Sequence, residues 1–187
     1  MITMGEAAKG LYGAWRLARG DPGGLAYFDT GIDGFWRSFN AAFFALPGFA
    51  ALVLLAVADY PGEVNLPGVL LVETIAYAID WFAFPLAAIY VCQWLGKRDA
   101  YFRLIVALNW AKVIEAAVMV PGALLASLAP GGVLTLIPIA IFVGVLFYHW
   151  YVIRVSLNTG AGEAIMVTVI NLTISLITAL WARTLLF

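Results

Sequence analysis

The sequence predicts an all-α polytopic membrane protein, a five-helix transmembrane bundle preceded by N-terminal interfacial amphipathic helices. Three observations predict it. Hydrophobic residues make up 64% of the 187 positions and charged residues 11%, with a mean hydropathy of +0.98, where a soluble domain carries about 25% charge. Five apolar runs approach or exceed the ~20 residues a helix needs to cross a bilayer. The bases cluster in alternate connections between those runs. This composition excludes an ordinary soluble globule, a disordered chain and a nucleic-acid binder. The formal charge of −1 implies no polyelectrolyte partner, and the single Cys92 excludes a disulfide framework and a multi-cysteine metal site.

Residues 1–38 read as a cytoplasmic amphipathic segment and 39–187 as the transmembrane domain. Met1 to Arg19 holds Glu6, Lys9, Arg16 and Arg19 with no uninterrupted apolar core or small-residue cleavage site, so it does not read as a secretory signal. Leu11, Trp15 and Ala18 fall at i, i+4 and i+7, widened by Ala8 and Tyr12, which predicts a helix lying in the interface on that stripe. Asp21-Pro22-Gly23-Gly24 breaks it. A second amphipathic piece follows, with Ile32, Phe35, Trp36 and Phe39 on one face, an Asp33–Arg37 ion pair at i,i+4, and Thr30 as its cap. Trp15, Arg16, Arg19, Trp36 and Arg37 form the expected membrane-surface anchor, with membrane lipids as their partner.

The spans are placed at about 41–58, 67–94, 100–126, 133–153 and 164–186, the first short and open to an earlier start near Phe39. The runs are continuous and too long for the alternating ten-residue strands of a membrane barrel. Short connections predict that consecutive helices pack as antiparallel neighbours. Lys9, Arg16, Arg19 and Arg37 precede span one, Lys97, Arg98 and Arg103 lie between spans two and three, and Arg154 lies between spans four and five. The alternate connections hold Asp59 and Glu63, or Pro130-Gly131-Gly132, and no base. The positive-inside rule then puts the N-terminus in the cytoplasm, and five crossings put the C-terminus outside. Arg183 is the one base on the outer side, where it would snorkel.

The ionisable residues inside spans two and three are the candidate site. Glu73, Tyr77, Asp80 and Phe84 share one helical face, as do Leu108, Lys112, Glu115 and Met119. Antiparallel packing brings Asp80 and Lys112 to similar depth, so these two are expected to pair. An unpaired charge at the bilayer centre costs about 2.5–3.5 kcal/mol on insertion scales. Glu73, Asp80, Lys112 and Glu115 must therefore face the bundle, a cavity or a neighbour. Three carboxylates against one ammonium leave Glu73 and Glu115 to be protonated, solvated or matched by a partner. The cluster reads as a register-fixing ion pair, as a path for a proton, ion or substrate, or as a polar contact to another chain. Asn109, Asn171, Ser175 and Thr178 form a polar helix-packing face. Pro85, Pro121 and Pro138 are expected to kink spans two, three and four.

No phosphate loop, dinucleotide fingerprint or serine elbow is present, so no catalytic residue, metal ligand or cofactor is assigned. Cys92 and His149 are placed at the cytoplasmic ends of spans two and four, with His149 inside an aromatic belt, Tyr148-His149-Trp150-Tyr151. There is no strong internal repeat, and an odd number of spans disfavours two inverted halves.

Ala107-Leu108-Asn109-Trp110, following Trp94 to Arg103, and Leu157, Gly160 and Ala164 around the next basic loop resemble bacterial members of the Yip1 family. The resemblance runs from about Phe35 to Leu185. It implies five spans behind a cytoplasmic segment and a membrane address, and little chemistry. The Asp-Leu-Tyr-Gly-Pro-like motif of the eukaryotic relatives is absent, so their role in vesicle traffic is not carried over.

The functional expectation is a small, non-enzymatic inner-membrane subunit, assembly factor or scaffold, with a membrane protein partner or self-association. The alternative is a channel or transporter component using the four buried charges.

Overall fold

A computed structural model describes residues 3–128 and 136–186; the Pro130-Gly131-Gly132 turn and the expected start of span four fall outside them. Among the described residues the chain forms seven α-helices and no strand. They are α1 (Met4–Ala18), α2 (Ile32–Ser38), α3 (Ala41–Ala58), α4 (Leu66–Trp94), α5 (Tyr101–Leu128), α6 (Ile137–Leu157) and α7 (Ala161–Leu186). Short 3-10 turns at Pro22–Tyr27 and Arg98–Ala100 connect α1 to α2 and α4 to α5. Among the described residues, five stretches are long and apolar enough to cross a membrane, the first being the continuous 32–58 run formed by α2 and α3. The protein is thus an all-α, multi-pass membrane protein.

Helix α6 runs four residues beyond its expected end. Arg154 therefore occupies its last turn rather than a loop. Asn158 then closes the helix in the left-handed conformation, at φ 47°, which asparagine tolerates better than most residues. Arg103 Nε donates to Ser156 O at 2.6 Å and Lys97 Nζ to Asn158 O at 3.0 Å. Two bases that mark the α4–α5 connection thus also satisfy carbonyls at the α6 C-terminus, where cations are favoured. Pro138 falls in the first turn of α6, where its missing N–H has no intrahelical acceptor to lose. Pro85 and Pro121 lie inside unbroken α4 and α5.

Helix α5 is the centre. It meets α3, α6 and the N-terminal helices, while α7 sits between α6 and α4. Consecutive packing holds for α5–α6 and α6–α7. It fails for α3, which packs on α5 instead of α4, and α4 packs mainly on α7. Gly48 explains the α3–α5 contact. A Cβ at this position would lie 3.0 Å from Ala116 Cβ, so the absence of a side chain allows close approach. Between α4 and α5, charged side chains and Trp81 occupy the space that close packing would remove.

The N-terminal segment packs onto the bundle, so the boundary at 38/39 is not a break between bodies. Helix α1 opens with a capping box between Thr3 and Glu6. It buries Ala7, Gly10, Gly13, Ala14 and Leu17. Tyr12 and Trp15 of the expected interfacial stripe lie on the opposite, outward face, each about half exposed. A Cβ at Gly10 would lie 2.7 Å from Trp110 Nε1, which is why α1 can lie directly on this α5 ring. Tyr148 and Tyr151 of α6 donate to Ala14 O at 2.9 Å and Gly20 O at 2.6 Å. These two rings clamp α1 and the turn that follows it rather than forming a belt.

Other expectations for this segment change. Gly31, not Thr30, caps α2, with no side-chain capping bond. Arg37 pairs with Asp29 at 2.5 Å and more loosely with Glu6 at 3.5 Å, not with Asp33. Arg16 pairs with Asp21 and lies over Tyr27. Among the expected anchor residues, Trp15, Arg19 and Trp36 point outward, while Arg16 and Arg37 are engaged within the protein. Ile32 and Trp36 are exposed, and Phe35 is the one fully buried member of the expected α2 face, against Tyr101 and Phe102.

Candidate functional site

A cavity of about 270 Å³ lies among α3, α4, α5, α6 and α7. All four charges singled out from the sequence line it: Glu73, Asp80, Lys112 and Glu115. Helix α4 contributes Glu73, Tyr77 and Asp80 from successive turns, because spacings of four and three return to one face. Lys112 and Glu115 come from adjacent turns of α5.

Lys112 Nζ donates to Asp80 Oδ2 at 2.6 Å and to Asp80 O at 3.0 Å. Ser175 Oγ of α7 donates to Asp80 Oδ1 at 2.6 Å. Both carboxylate oxygens thus have a donor, and α4, α5 and α7 are tied at one depth. The same ammonium stands 4.8 Å from the centre of the Trp81 ring, a favourable cation–π position. Tyr77 Oη donates to Ala42 O at 2.7 Å and links α4 to the start of α3.

His149 corrects the sequence reading. It lines this cavity instead of an interfacial belt. The extended α6 accounts for it: eight residues separate His149 from Leu157, or about 12 Å of helix at ~1.5 Å per residue. His149 Nε2 stands 3.2 Å from Glu115 Oε2. That nitrogen is buried and makes no aligned hydrogen bond, so the contact is one of charge proximity. Cys92 does not line the cavity and is not brought to His149 there.

Glu73 has no ion pair at close range among the described residues. Three carboxylates, one ammonium and the His149 imidazole thus line the cavity together.

Asn171 and Thr178 join Ser175 on the cavity wall. Thr178 Oγ donates to Ile174 O at 3.1 Å, and the Asn171 amide makes no hydrogen bond among the described residues. Asn109 does not belong with them. Its Nδ2 donates to Ser38 Oγ at 2.9 Å, and Ser38 donates to Phe35 O, so this polar pair fastens α2 to α5.

The arrangement can hold a proton or a small cation against Glu73 and Glu115. No group of three His, Cys, Asp or Glu side chains among the described residues is arranged to hold a metal ion. Comparison with family models, curated proteins and solved structures returns no match.

Proposed function

We propose that this chain binds a small cation or relays protons in its mid-bundle cavity, as a channel or transporter component of a bacterial inner membrane. The observation that carries the reading is the cavity itself. Its 270 Å³ far exceeds the ~15 Å³ of probe-occupied volume that one water needs, and its acidic excess favours a positive occupant. A purely structural ion pair would need neither Glu73 nor the Glu115–His149 contact beside it. The N-terminus is assigned to the cytoplasm, because α1, α2 and the bases around Arg103 and Arg154 gather at one end of the bundle. A Yip1-like membership would add the membrane address.

A second reading is the subunit, assembly factor or scaffold. Phe82, Leu86, Tyr90 and Trp94 form an exposed stripe along α4 at four-residue spacing, which suits a partner helix as well as lipid.

Purified protein in liposomes carrying a pH-sensitive dye tests the first reading. Proton or monovalent-cation flux is expected, reduced about tenfold or more by Glu115→Gln in a protein that still folds. Absence of flux, together with a stoichiometric partner in native mass spectrometry, overturns it in favour of the second.

A further inference from the structure

A second pocket, of about 560 Å³, opens where α1, the Pro22–Tyr27 turn, α2 and α5 meet. Its lining includes Glu6, Lys9, Gly10, Asp29, Arg37 and Trp110. We propose that this pocket binds the phosphoethanolamine headgroup of a membrane lipid.

Three features point to that chemistry. First, Trp110 is 4% exposed, yet its indole N–H makes no hydrogen bond among the described residues. The nitrogen itself is not sealed off, so it stays open to an acceptor that enters the pocket. Trp110 forms part of the pocket wall, where a phosphate oxygen of a bound headgroup would supply that acceptor. Second, Lys9 has no ion pair among the described residues and supplies an ammonium for the same phosphate. Third, the acids are unequally engaged. Arg37 holds Asp29 at 2.5 Å but reaches Glu6 Oε1 only at 3.5 Å, which leaves that oxygen for the primary amine of the headgroup. A purely anionic ligand would gain nothing from the two carboxylates. The outward-facing Tyr12, Trp15 and Trp36 on the same two helices are the amphipathic aromatics found at headgroup depth.

The test is native mass spectrometry of delipidated protein reloaded in parallel with phosphatidylethanolamine, phosphatidylglycerol or phosphatidylcholine. Retention of phosphatidylethanolamine about tenfold above the other two is expected, with the preference lost in Lys9→Ala and in Trp110→Phe. Lys9 is exposed, so its variant keeps the test decisive if Trp110→Phe fails to fold. Equal retention of the three lipids, preference for phosphatidylglycerol, or an unchanged preference in Lys9→Ala overturns the proposal. Retention of soluble phosphoethanolamine without retained lipid overturns the lipid source.

Discussion

Asp80 in the cavity and Asp21 beside α1 each meet a base at short range, but along very different stretches of chain. Asp80 reaches Lys112 thirty-two residues away and Ser175 ninety-five residues away. Asp21 reaches Arg16 five residues away and the Gly23 amide two away. The cavity network therefore exists only when three spans are assembled, whereas the Arg16–Asp21 link can form in an isolated turn. Their surroundings differ as well. Asp80 and Lys112 are 31% and 19% exposed, between helices whose outer faces are apolar; Arg16 and Asp21 are 31% and 41% exposed at the edge of the bundle. Losing a partner in the cavity leaves a charge that water rescues poorly, and losing one beside α1 leaves a charge that water reaches.

The sharpest way to break this comparison is to remove Asp80. Asp80→Ala leaves Lys112 without its carboxylate and Ser175 without its acceptor. Removing one member of a buried pair costs about 3–5 kcal/mol, and the partial exposure here places the effect near the lower bound. Thermal unfolding in mild detergent is the measurement. Lys112→Met on the Asp80→Ala background is expected to restore part of the loss, with coupling of about 1–3 kcal/mol in the double-mutant cycle. Additive losses would show that the two residues do not act as a pair.

A smaller effect is expected where α1 meets the bundle, and it rests on packing rather than charge. Gly10→Leu would drive a side chain into the Trp110 ring. Overpacking of this kind costs about 1–3 kcal/mol. Helix α1 can relieve it by lifting away, since its clamps are the two tyrosine hydrogen bonds to Ala14 and Gly20. Faster tryptic cleavage at Arg16 and Arg19 is expected, with an unfolding temperature close to that of the parent. Unchanged cleavage would mean that α1 is held by something other than the Gly10–Trp110 approach.

The two regions were also unequally legible in the sequence. The Asp80–Lys112 meeting was legible because both residues lie near mid-span on antiparallel helices, and depth can be counted from either end. His149 was not, because its depth depends on where α6 stops. Arg154 looked like a loop residue, and the end at Asn158 depends on a left-handed backbone that no periodicity displays. The face on which α1 packs was not legible for a different reason. Tyr12 and Trp15 dominate its apolar pattern, but beside lipid a large apolar side chain gains little by turning inward. The face that packs is the one with small residues, Gly10, Gly13 and Ala14, where backbones approach closely. Asn109 shows the same limit: helical spacing said that it packs, and only the fold shows that Ser38 rather than α7 receives it.

The smallest expected effect is a titration confined to the N-terminal segment. The backbone and hydroxyl hydrogen bonds from Thr3 hold Glu6 below the usual carboxylate range. The Arg16 guanidinium, then the Gly23 amide, hold Asp21 below it too, and Asp21 in turn raises Arg16. A carboxylate whose pKa is lower in the folded state adds stability that is fully present above its unfolded pKa and is lost as pH falls through the folded one. With ordinary values of about 3.9 for Asp and 4.3 for Glu, α1 should hold unchanged down to that range and loosen only below it. Arg16 works in the opposite sense: its raised pKa keeps the cation present throughout this window, so it contributes no acid-side loss. Both acids are solvent-reached, so the change should appear as local fraying and not as global unfolding. Hydrogen–deuterium exchange of α1 amides across an acid series measures it, with Asp21→Asn expected to show part of the fraying already at neutral pH. Fraying that begins well above the carboxylate range, or an Asp21→Asn protein that behaves like the parent at every pH, would show that the packed glycine face alone holds α1 in place.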